Sequence, residues 1–247
     1  MDLGLKGRTA LVCGASSGLG LASAEALAGE GANVTMFARR RDVLEREADR
    51  IGALAVRGDV SLPQDLERAV SKTVEAFGGL DILVWNSGGP PSGSGLEVTP
   101  DAVEQAVELM VQPAVRLVQL ALPHLEQSAG GRIVAITSLA AKEPTRHLAL
   151  SNMFRPSLHG YLKTLADELG PRGITVNCVA PGRIATPRLS YLYPDGPTEE
   201  ALAEIPLRRW GDPREFGDVI CFIASERARY ISGQTIVVDG GLQRSLF

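Results

Sequence analysis

The sequence predicts an α/β fold, a doubly wound parallel sheet of seven strands with helices on both faces. Short β-branched runs alternate with longer amphipathic stretches along the whole chain, which is typical of right-handed βαβ units. The run Leu80–Trp85 is nearly all apolar, as in a strand covered on both faces. The 247 residues fit one such domain, because domains average about 150 residues and α/β domains run larger. We therefore expect a single domain spanning residues 1–247.

The predicted elements follow from the spacing of apolar residues and from the turn residues at their ends. Pro63 and Pro213 begin helices, since proline is favourable in a first turn. The predicted strands are Thr9–Cys13, Asn33–Ala38, Ala53–Arg57, Leu80–Trp85, Gly131–Thr137, Ile174–Val179 and Gln234–Val238. The predicted helices are Leu19–Glu30, Arg41–Ile51, Pro63–Phe77, about Pro100–Gln127, one within Ser151–Leu169, and Pro213–Ala224. The mixed segment of about 188–207 is expected to be a lid.

Composition excludes several classes of protein. Lys and Arg number 25 against 29 Asp and Glu, so the net charge is −4, and no basic run marks a nucleic-acid binder. No apolar stretch approaches the ~18 residues of a membrane span, and the N-terminus lacks the apolar core of a secretion signal. Cys13, Cys178 and Cys221 lie far apart in apolar runs. We therefore expect buried reduced thiols, no metal site and a cytoplasmic protein.

A glycine-rich turn connects the first predicted strand to the first helix. Gly14, Gly18 and Gly20 have the spacing G-x-x-x-G-x-G. Glycines allow a backbone to approach a pyrophosphate closely, and a helix N-terminus presents free N–H groups to it. The position of this turn after a strand predicts a Rossmann-type dinucleotide site, although a purely structural tight turn is the alternative.

The end of the second predicted strand indicates which dinucleotide is bound. An acidic side chain there would hydrogen-bond a ribose 2′-hydroxyl and repel a 2′-phosphate. The sequence instead has Arg39, Arg40 and Arg41, and guanidinium groups suit bidentate phosphate binding. This pattern favours NADP(H) over NAD(H), with a solvated basic helix start as the alternative.

Two further polar positions follow predicted strands. Asp59, followed by Val60, comes after the third strand and is placed to accept the adenine amino group, or else to cap the helix near Pro63. Asn86 comes after the fourth strand and leads through a turn containing Gly88, which can support the adenine ribose.

These residues, in this order, resemble the short-chain dehydrogenase/reductase family over essentially the whole chain, and most closely its 3-oxoacyl-acyl-carrier-protein reductase-like branch. The resemblance implies a Rossmann-type sheet, a nicotinamide cofactor, a homo-oligomer (tetramer or dimer) and a small-molecule substrate. It places Ser138 in the active site and Thr186 beside the nicotinamide carboxamide. The cofactor residues that it implies are Gly14, Ser16, Ser17, Gly18, Leu19, Gly20, Arg39, Arg40, Asp59, Val60, Asn86, Gly88, Arg155, Pro181, Gly182, Ile184 and Thr186.

The sequence departs from the family at three of four catalytic positions. The family's tyrosine and lysine positions fall on Ser151 and Arg155, and its asparagine position falls on Met110. Ser138 is the family's serine. Tyr161 and Lys163 cannot replace the missing pair, because residues two apart on a helix point in opposite directions, and both lie well down the helix.

The remaining candidate catalytic residues are Ser138, Ser151 and Arg155. The two serines can hydrogen-bond an oxyanion, and Arg155 can hold ribose hydroxyls and supply positive charge. Ser151 has a helix N-cap as its alternative role, and Arg155 a structural salt bridge. A serine is a far weaker acid than a tyrosine tuned by lysine, so the proton must come from water or another side chain.

Three side chains are candidates for that proton donor. His147 lies between Ser138 and Ser151, with an exposed loop position as its alternative. Tyr191 and Tyr193 lie in the predicted lid, where hydrophobic cover is their alternative. Arg183 and Arg188, after the Pro-Gly turn, can meet an anionic substrate tail.

Two functions of different class fit the sequence. The first is an NADP(H)-dependent oxidoreductase acting on a carbonyl or hydroxyl substrate, such as a 3-oxoacyl thioester. The second is a catalytically impaired dinucleotide-binding sensor or scaffold protein. The missing tyrosine–lysine pair favours the second, whereas Ser138, Thr186 and the complete lid favour the first. Another reaction on the same fold, such as dehydration or epimerisation, is a third hypothesis that no motif supports.

Overall fold

The computed structural model describes residues 1–246 and contains one parallel sheet in the order β3-β2-β1-β4-β5-β6-β7. The strands are β1 (Thr9–Cys13), β2 (Asn33–Ala38), β3 (Leu54–Arg57), β4 (Ile82–Trp85), β5 (Arg132–Ile136), β6 (Thr175–Pro181) and β7 (Thr235–Val238). The helices are α1 (Gly18–Gly29), α2 (Arg41–Ile51), α3 (Pro63–Phe77), α4 (Pro100–Ala106), α5 (Gln112–Leu125), α6 (Ala149–Leu169), α7 (Pro187–Leu192), α8 (Glu199–Ala203) and α9 (Pro213–Ala224). The predicted fold class is confirmed, and the ends of the strands differ by at most two residues from those predicted.

The single helix predicted from Pro100 to Gln127 is wrong. The structure divides it into α4, a π-helical turn over Val107–Val111, and α5. Pro113 explains the break, because proline has no N–H and its ring clashes with the carbonyl group four residues earlier. A wider π turn relieves that clash. Met110, at the family's asparagine position, lies buried within this turn.

Two apolar layers cover the sheet. Alternate residues of each strand face opposite sides, so Leu11 belongs to one layer and Val12 to the other. Helices α3, α5 and α6 complete the first layer, and α1, α2 and α9 the second. Each fully buried large apolar side chain contributes about 1.5–3 kcal/mol to folding.

The topology places a crevice at the carboxyl edge of the sheet. Strand β1 lies between β2 and β4, so the connections run in opposite directions from this point. In such sheets ligands bind beyond the strand ends at this switch point. Gly14, Asn86 and Ser138 all follow strands that end at this edge.

The cysteine prediction agrees with the structure. Cys13, Cys178 and Cys221 are buried and free. Burial raises the pKa of the Cys13 thiol to about 12, so it is an inert apolar group. Within residues 1–246, no helix is long and apolar enough to cross a lipid bilayer.

Candidate active site

The glycine turn has backbone conformations and close contacts that favour glycine. Gly14 and Gly18 have φ values of 61° and 57°, in the left-handed region. A Cβ atom on Gly14 would lie 2.6 Å from Nδ2 of Asn86, and one on Gly20 would overlap the carbonyl group of Gly14. The turn therefore packs directly against Asn86, at the centre of the crevice.

The N-terminus of α1 is free to receive an anion. Its N-cap residue, Ser17, makes no side-chain hydrogen bond to the helix, and the first turn contains no acidic residue. The helix dipole and the free N–H groups together favour a negatively charged group at this point. The loop and the helix end thus fit the pyrophosphate of a dinucleotide.

The three arginines after β2 have different partners. Arg40 donates hydrogen bonds to the hydroxyl groups of Ser17 at 2.8 Å and Ser16 at 3.3 Å. Arg39 lies 3.8 Å from the carboxylate of Asp59, and Arg41 pairs with Glu45 on the surface of α2. Arg40 and the loop serines therefore form a polar cluster beside the anion site, whereas Arg41 has the solvated position expected of a basic helix start.

Asp59 does not cap the helix that follows it. The N-cap residue of α3 is Leu62, and Oδ1 of Asp59 instead accepts hydrogen bonds from the backbone and hydroxyl of Ser61. The capping role is therefore wrong, while the adenine role stays a prediction. Val60 is half-buried and packs against the core, and Gly88 is exposed in the loop after β4.

The segment after β6 brings a second wall of the crevice against the glycine loop. Thr186 caps α7 by accepting a hydrogen bond from the backbone of Leu189, and its methyl group lies 3.4 Å from where a Gly18 Cβ would be. Gly182, after Pro181, packs against β7 through a 2.9 Å hydrogen bond to the carbonyl of Val238. Ile184 is buried in the core.

Ser138 lies directly after β5 at the carboxyl edge of the sheet. Its hydroxyl oxygen accepts a 3.1 Å hydrogen bond from the backbone N–H of Ala140, which fixes the side chain at the start of a short 3-10 turn. The hydroxyl hydrogen can still be donated to a ligand.

Ser151 lies inside α6 rather than at its cap. The helix begins at Ala149 with Leu148 as its N-cap residue, so the alternative role of Ser151 as a helix cap is wrong. Asn152 instead holds the preceding loop through two 2.9 Å hydrogen bonds to the backbone of Thr145. Ser151 is 7% exposed.

Arg155, one turn after Ser151, is a buried cation without a carboxylate partner. It is 6% exposed, donates one long hydrogen bond of 3.4 Å to the carbonyl of Ile136, and has no partner for Nε. The salt bridge considered from the sequence is absent within residues 1–246. Burial, with a smaller contribution from Arg188, lowers the pKa of Arg155 to about 10. It therefore remains charged at neutral pH.

His159 is a half-buried titratable residue one turn after Arg155 that the sequence reasoning missed. Its ring nitrogens lie 2.8 Å from Oγ1 of Thr137 and 3.2 Å from Oγ1 of Thr235. Burial first, then the positive charges of Arg155 and Lys142, lower its pKa to about 4. The signal was the spacing of four from Arg155, which puts both side chains on one face of α6.

The candidate proton donors occupy different environments. His147 lies at an exposed loop position, the alternative considered for it from the sequence, and has a φ of 59°. Tyr193 packs edge-on against Trp210, with ring centroids 5.8 Å apart. This packing fits the alternative role of Tyr193 as hydrophobic cover in the lid. Tyr191 is 71% exposed in α7. Lys163 donates to the carbonyl of Gly233, away from Ser138.

The two arginines after β6 also differ. Arg183 pairs with Glu204, donates to the carbonyl of Ala201 and stacks over Tyr193, so its charge is already compensated. Its contact with an anionic substrate stays a prediction, and the structure gives its guanidinium group internal partners instead. Arg188 donates a 3.0 Å hydrogen bond to the carbonyl of Pro90 and lies over the ring of Tyr191.

Comparisons with known proteins agree with this fold. The family model described as Enoyl-(Acyl carrier protein) reductase matches residues 14–243. Dehydrogenase/reductase SDR family member 4 of Homo sapiens is 35% identical over 96% of this chain and 88% of its own. L-rhamnose 1-dehydrogenase (NAD(P)(+)) of Sphingomonas sp. (strain SKA58) is 35% identical over 98% of both chains.

Solved structures are also similar over the whole chain. L-sorbose reductase from Gluconobacter frateurii, complexed with NADPH and L-sorbose, has a TM-score of 0.92 at 33% identity and covers 100% of both chains. YwfH, an NADPH dependent reductase involved in bacilysin biosynthesis, has a TM-score of 0.92 at 28% identity, with 97% of this chain and 99% of its own covered. The chain belongs to the short-chain dehydrogenase/reductase family of oxidoreductases, whose fold binds a nicotinamide dinucleotide.

Proposed function

We propose that this protein is an NADP(H)-dependent oxidoreductase that interconverts a carbonyl and a hydroxyl group, with Ser138, Ser151 and Arg155 at its catalytic positions. The observation that carries the cofactor preference is the cluster of Arg40 with Ser16 and Ser17, beside the anion site of the glycine loop. The NADPH complex of the similar L-sorbose reductase supports the same preference.

The residues around the crevice would hold the cofactor along its length. The free N-terminus of α1 would receive the pyrophosphate, and Arg40 and Arg39 would meet the 2′-phosphate. The adenine end would lie near Asp59 and Asn86. The wall that contains Thr186 would support the nicotinamide end, where the bound cofactor supplies or accepts a hydride.

The catalytic face can stabilise negative charge but lacks the family's usual acid. The hydroxyl groups of Ser138 and Ser151 would donate hydrogen bonds to a substrate oxygen, and the charge of Arg155 would stabilise that oxygen as it becomes negative. Arg155 does not give up its proton at neutral pH, so the proton comes from water or from Tyr191 or His147. A positioned general acid contributes about 10²–10⁴-fold in rate, so we expect slow turnover rather than none.

A dinucleotide-binding sensor or scaffold is the second candidate function. The observation that favours it is the loss of the tyrosine and lysine, together with Met110 at the asparagine position.

A 3-oxoacyl thioester and a simple ketone are both candidate substrates of the enzyme. We also propose a homo-oligomer, tetramer or dimer, which the mass measured by light scattering during size-exclusion chromatography would test.

The cofactor proposal is tested by calorimetry with NADPH and NADH on the wild-type protein and on Arg40→Ala. We expect wild type to bind NADPH more tightly, and the variant to lose about tenfold or more for NADPH with little change for NADH. Arg41→Ala is the matched control, because that side chain pairs with Glu45 instead. Equal losses in the two variants would overturn the preference.

Turnover is tested in the same samples by absorbance of the reduced nicotinamide. Ketones and 3-oxoacyl thioesters form the substrate panel. Oxidation of NADPH that depends on the added carbonyl compound supports the enzyme. Tight NADPH binding without any turnover across the panel supports the sensor or scaffold.

A further inference from the structure

We propose that the substrate of this site carries a carboxylate, which pairs with Arg188 while its carbonyl group meets Ser138, Ser151 and Arg155. The substrate class is therefore a small oxo acid and its corresponding hydroxy acid. This inference rests on the proposed oxidoreductase function and names its substrate.

The first observation is the charge of Arg155. Charged side chains are almost never fully buried unless they are paired, because desolvation costs several kcal/mol. Arg155 has one long hydrogen bond, an unpartnered Nε and no ion pair among residues 1–246. Ribose hydroxyl groups would satisfy its N–H donors but would leave its charge uncompensated.

The second observation is the position of Arg188. Its guanidinium group reaches from α7 to the loop after β4, where it donates to the carbonyl of Pro90 and lies 3.3 Å from where a Gly89 Cβ would be. The same loop is joined to the chain entering α6 by a 2.8 Å hydrogen bond from Gly93 to the carbonyl of His147. Arg188 is thus held at the mouth of the crevice, near the start of α6.

The third observation is that Arg188 keeps free donors there. Tyr191 orients the guanidinium from one side, with 5.6 Å from its central carbon to the ring centroid. Arg183, on the same segment, is neutralised by Glu204, whereas no carboxylate pairs with Arg188 in the described chain. A guanidinium fork with spare N–H groups matches a carboxylate.

The two arginines together give the crevice an excess of positive charge. Arg188 lies near enough to disfavour the charged form of Arg155, and neither arginine forms an ion pair among residues 1–246. The nicotinamide ring has no negative charge in either redox state, so the end of the cofactor nearest the catalytic residues does not offset these two arginines. A monoanionic substrate lowers the electrostatic energy of the whole arrangement.

The reaction leaves the carboxylate unchanged. In reduction, the cofactor delivers a hydride, two electrons with one proton, to the carbonyl carbon, and the C=O π electrons move to oxygen. A proton from solvent then completes the hydroxyl group. The serines and Arg155 hold the oxygen, and Arg188 holds the carboxylate and so fixes which face of the carbonyl is presented.

The test compares acids with their neutral esters. Pyruvate, acetoacetate and 4-oxopentanoate are each paired with the methyl ester and assayed with NADPH, by initial rates and by calorimetry on NADPH-loaded protein. We expect at least one acid to have a KM or Kd about ten- to a hundredfold below that of its ester. Arg188→Ala should remove this difference by raising the KM or Kd of the acid towards that of its ester, and Arg188→Lys should retain part of the difference.

Arg172→Ala is the charge-matched control, because Arg172 pairs with Glu126 at the opposite edge of the sheet. It should keep the full preference for the acid. The inference would be overturned if every acid had the same KM or Kd as its ester, or if no acid bound. It would also be overturned if the preference for the acid survived Arg188→Ala. Failure of NADPH itself to bind would instead overturn the proposed function.

Discussion

The two halves of the crevice satisfy their polar groups in different ways. In the cofactor half, built on β1, β2 and β4, Arg40 binds the loop serines and Asn86 packs against the glycines. In the catalytic half, built on β5 and α6, Arg155 is a buried charge without a counter-ion. The first half is organised before any ligand arrives, whereas the second is completed electrostatically only by an anion.

The unpaired charge marks the catalytic half as the part of the crevice whose ligand is not provided by the fold. A buried charge without a partner lowers stability, and such locally unfavourable features concentrate at functional sites. By its resemblance to the family, the chain is expected to differ at three catalytic positions and to have a cation, Arg155, at the lysine position. We infer that this half has a different ligand preference rather than a lost one.

The largest expected effect is in the cofactor half. Gly20→Ala would bring a methyl group into a steric clash with the backbone carbonyl group of Gly14, because the two backbone segments are in close contact there. We expect about 3 kcal/mol lower stability in urea unfolding and at least a hundredfold weaker NADPH binding by calorimetry. Gly29 lies in the same helix, and a Cβ atom added there would have no neighbour within 4 Å. Gly29→Ala should therefore raise the free energy of unfolding by about 1 kcal/mol or less. Similar losses in both variants would show that the loop is not closely packed.

The second-largest expected effect is the pH dependence that His159 gives to the free energy of unfolding. Its pKa falls from 6.5 in the unfolded chain to about 4 in the fold, so the unfolded state binds more protons between these values. We expect stability to fall by about 2–3 kcal/mol as pH drops from 6.5 towards 4. His159→Gln, which keeps hydrogen-bonding atoms but does not titrate, should flatten this part of the profile measured by urea unfolding. His147→Asn, at an exposed position, should keep the wild-type slope, and an unchanged slope in His159→Gln would contradict the assignment.

The smallest expected effect tests whether the charge of Arg155 is there for ligand binding or for the stability of the fold. Arg155→Met should raise the free energy of unfolding of the ligand-free protein by about 1–2 kcal/mol, because it removes an unpaired buried charge. Arg132→Met is the matched control: Arg132 is 2% exposed but pairs with Glu226 at 3.2 Å, so its loss should destabilise the protein.

Arg155→Met should also abolish the stabilisation that a bound oxo acid gives to the NADPH-loaded protein, measured as a thermal shift. Destabilisation of the ligand-free protein by Arg155→Met would show that Arg155 is held by the fold itself.

Much of the molecule follows from local sequence patterns. Apolar periodicity and the glycine turn were enough to predict the seven strands, because strand and helix periods leave distinct patterns and glycine is favoured in left-handed turns. The break at Met110 was missed although Pro113 was visible, since the apolar pattern continues across the π turn and hides the change of register.

Tertiary contacts decided what the site residues do. The sequence alone was enough to predict a seven-stranded dinucleotide fold, and its resemblance to the family puts Ser138, Ser151 and Arg155 forward as the catalytic candidates. It did not show that Arg183 is neutralised by Glu204 while Arg188 is not, or that His159 links Thr137 to Thr235. Partners such as these are far apart in the chain, and the charge left at a site depends on which of them the fold brings together.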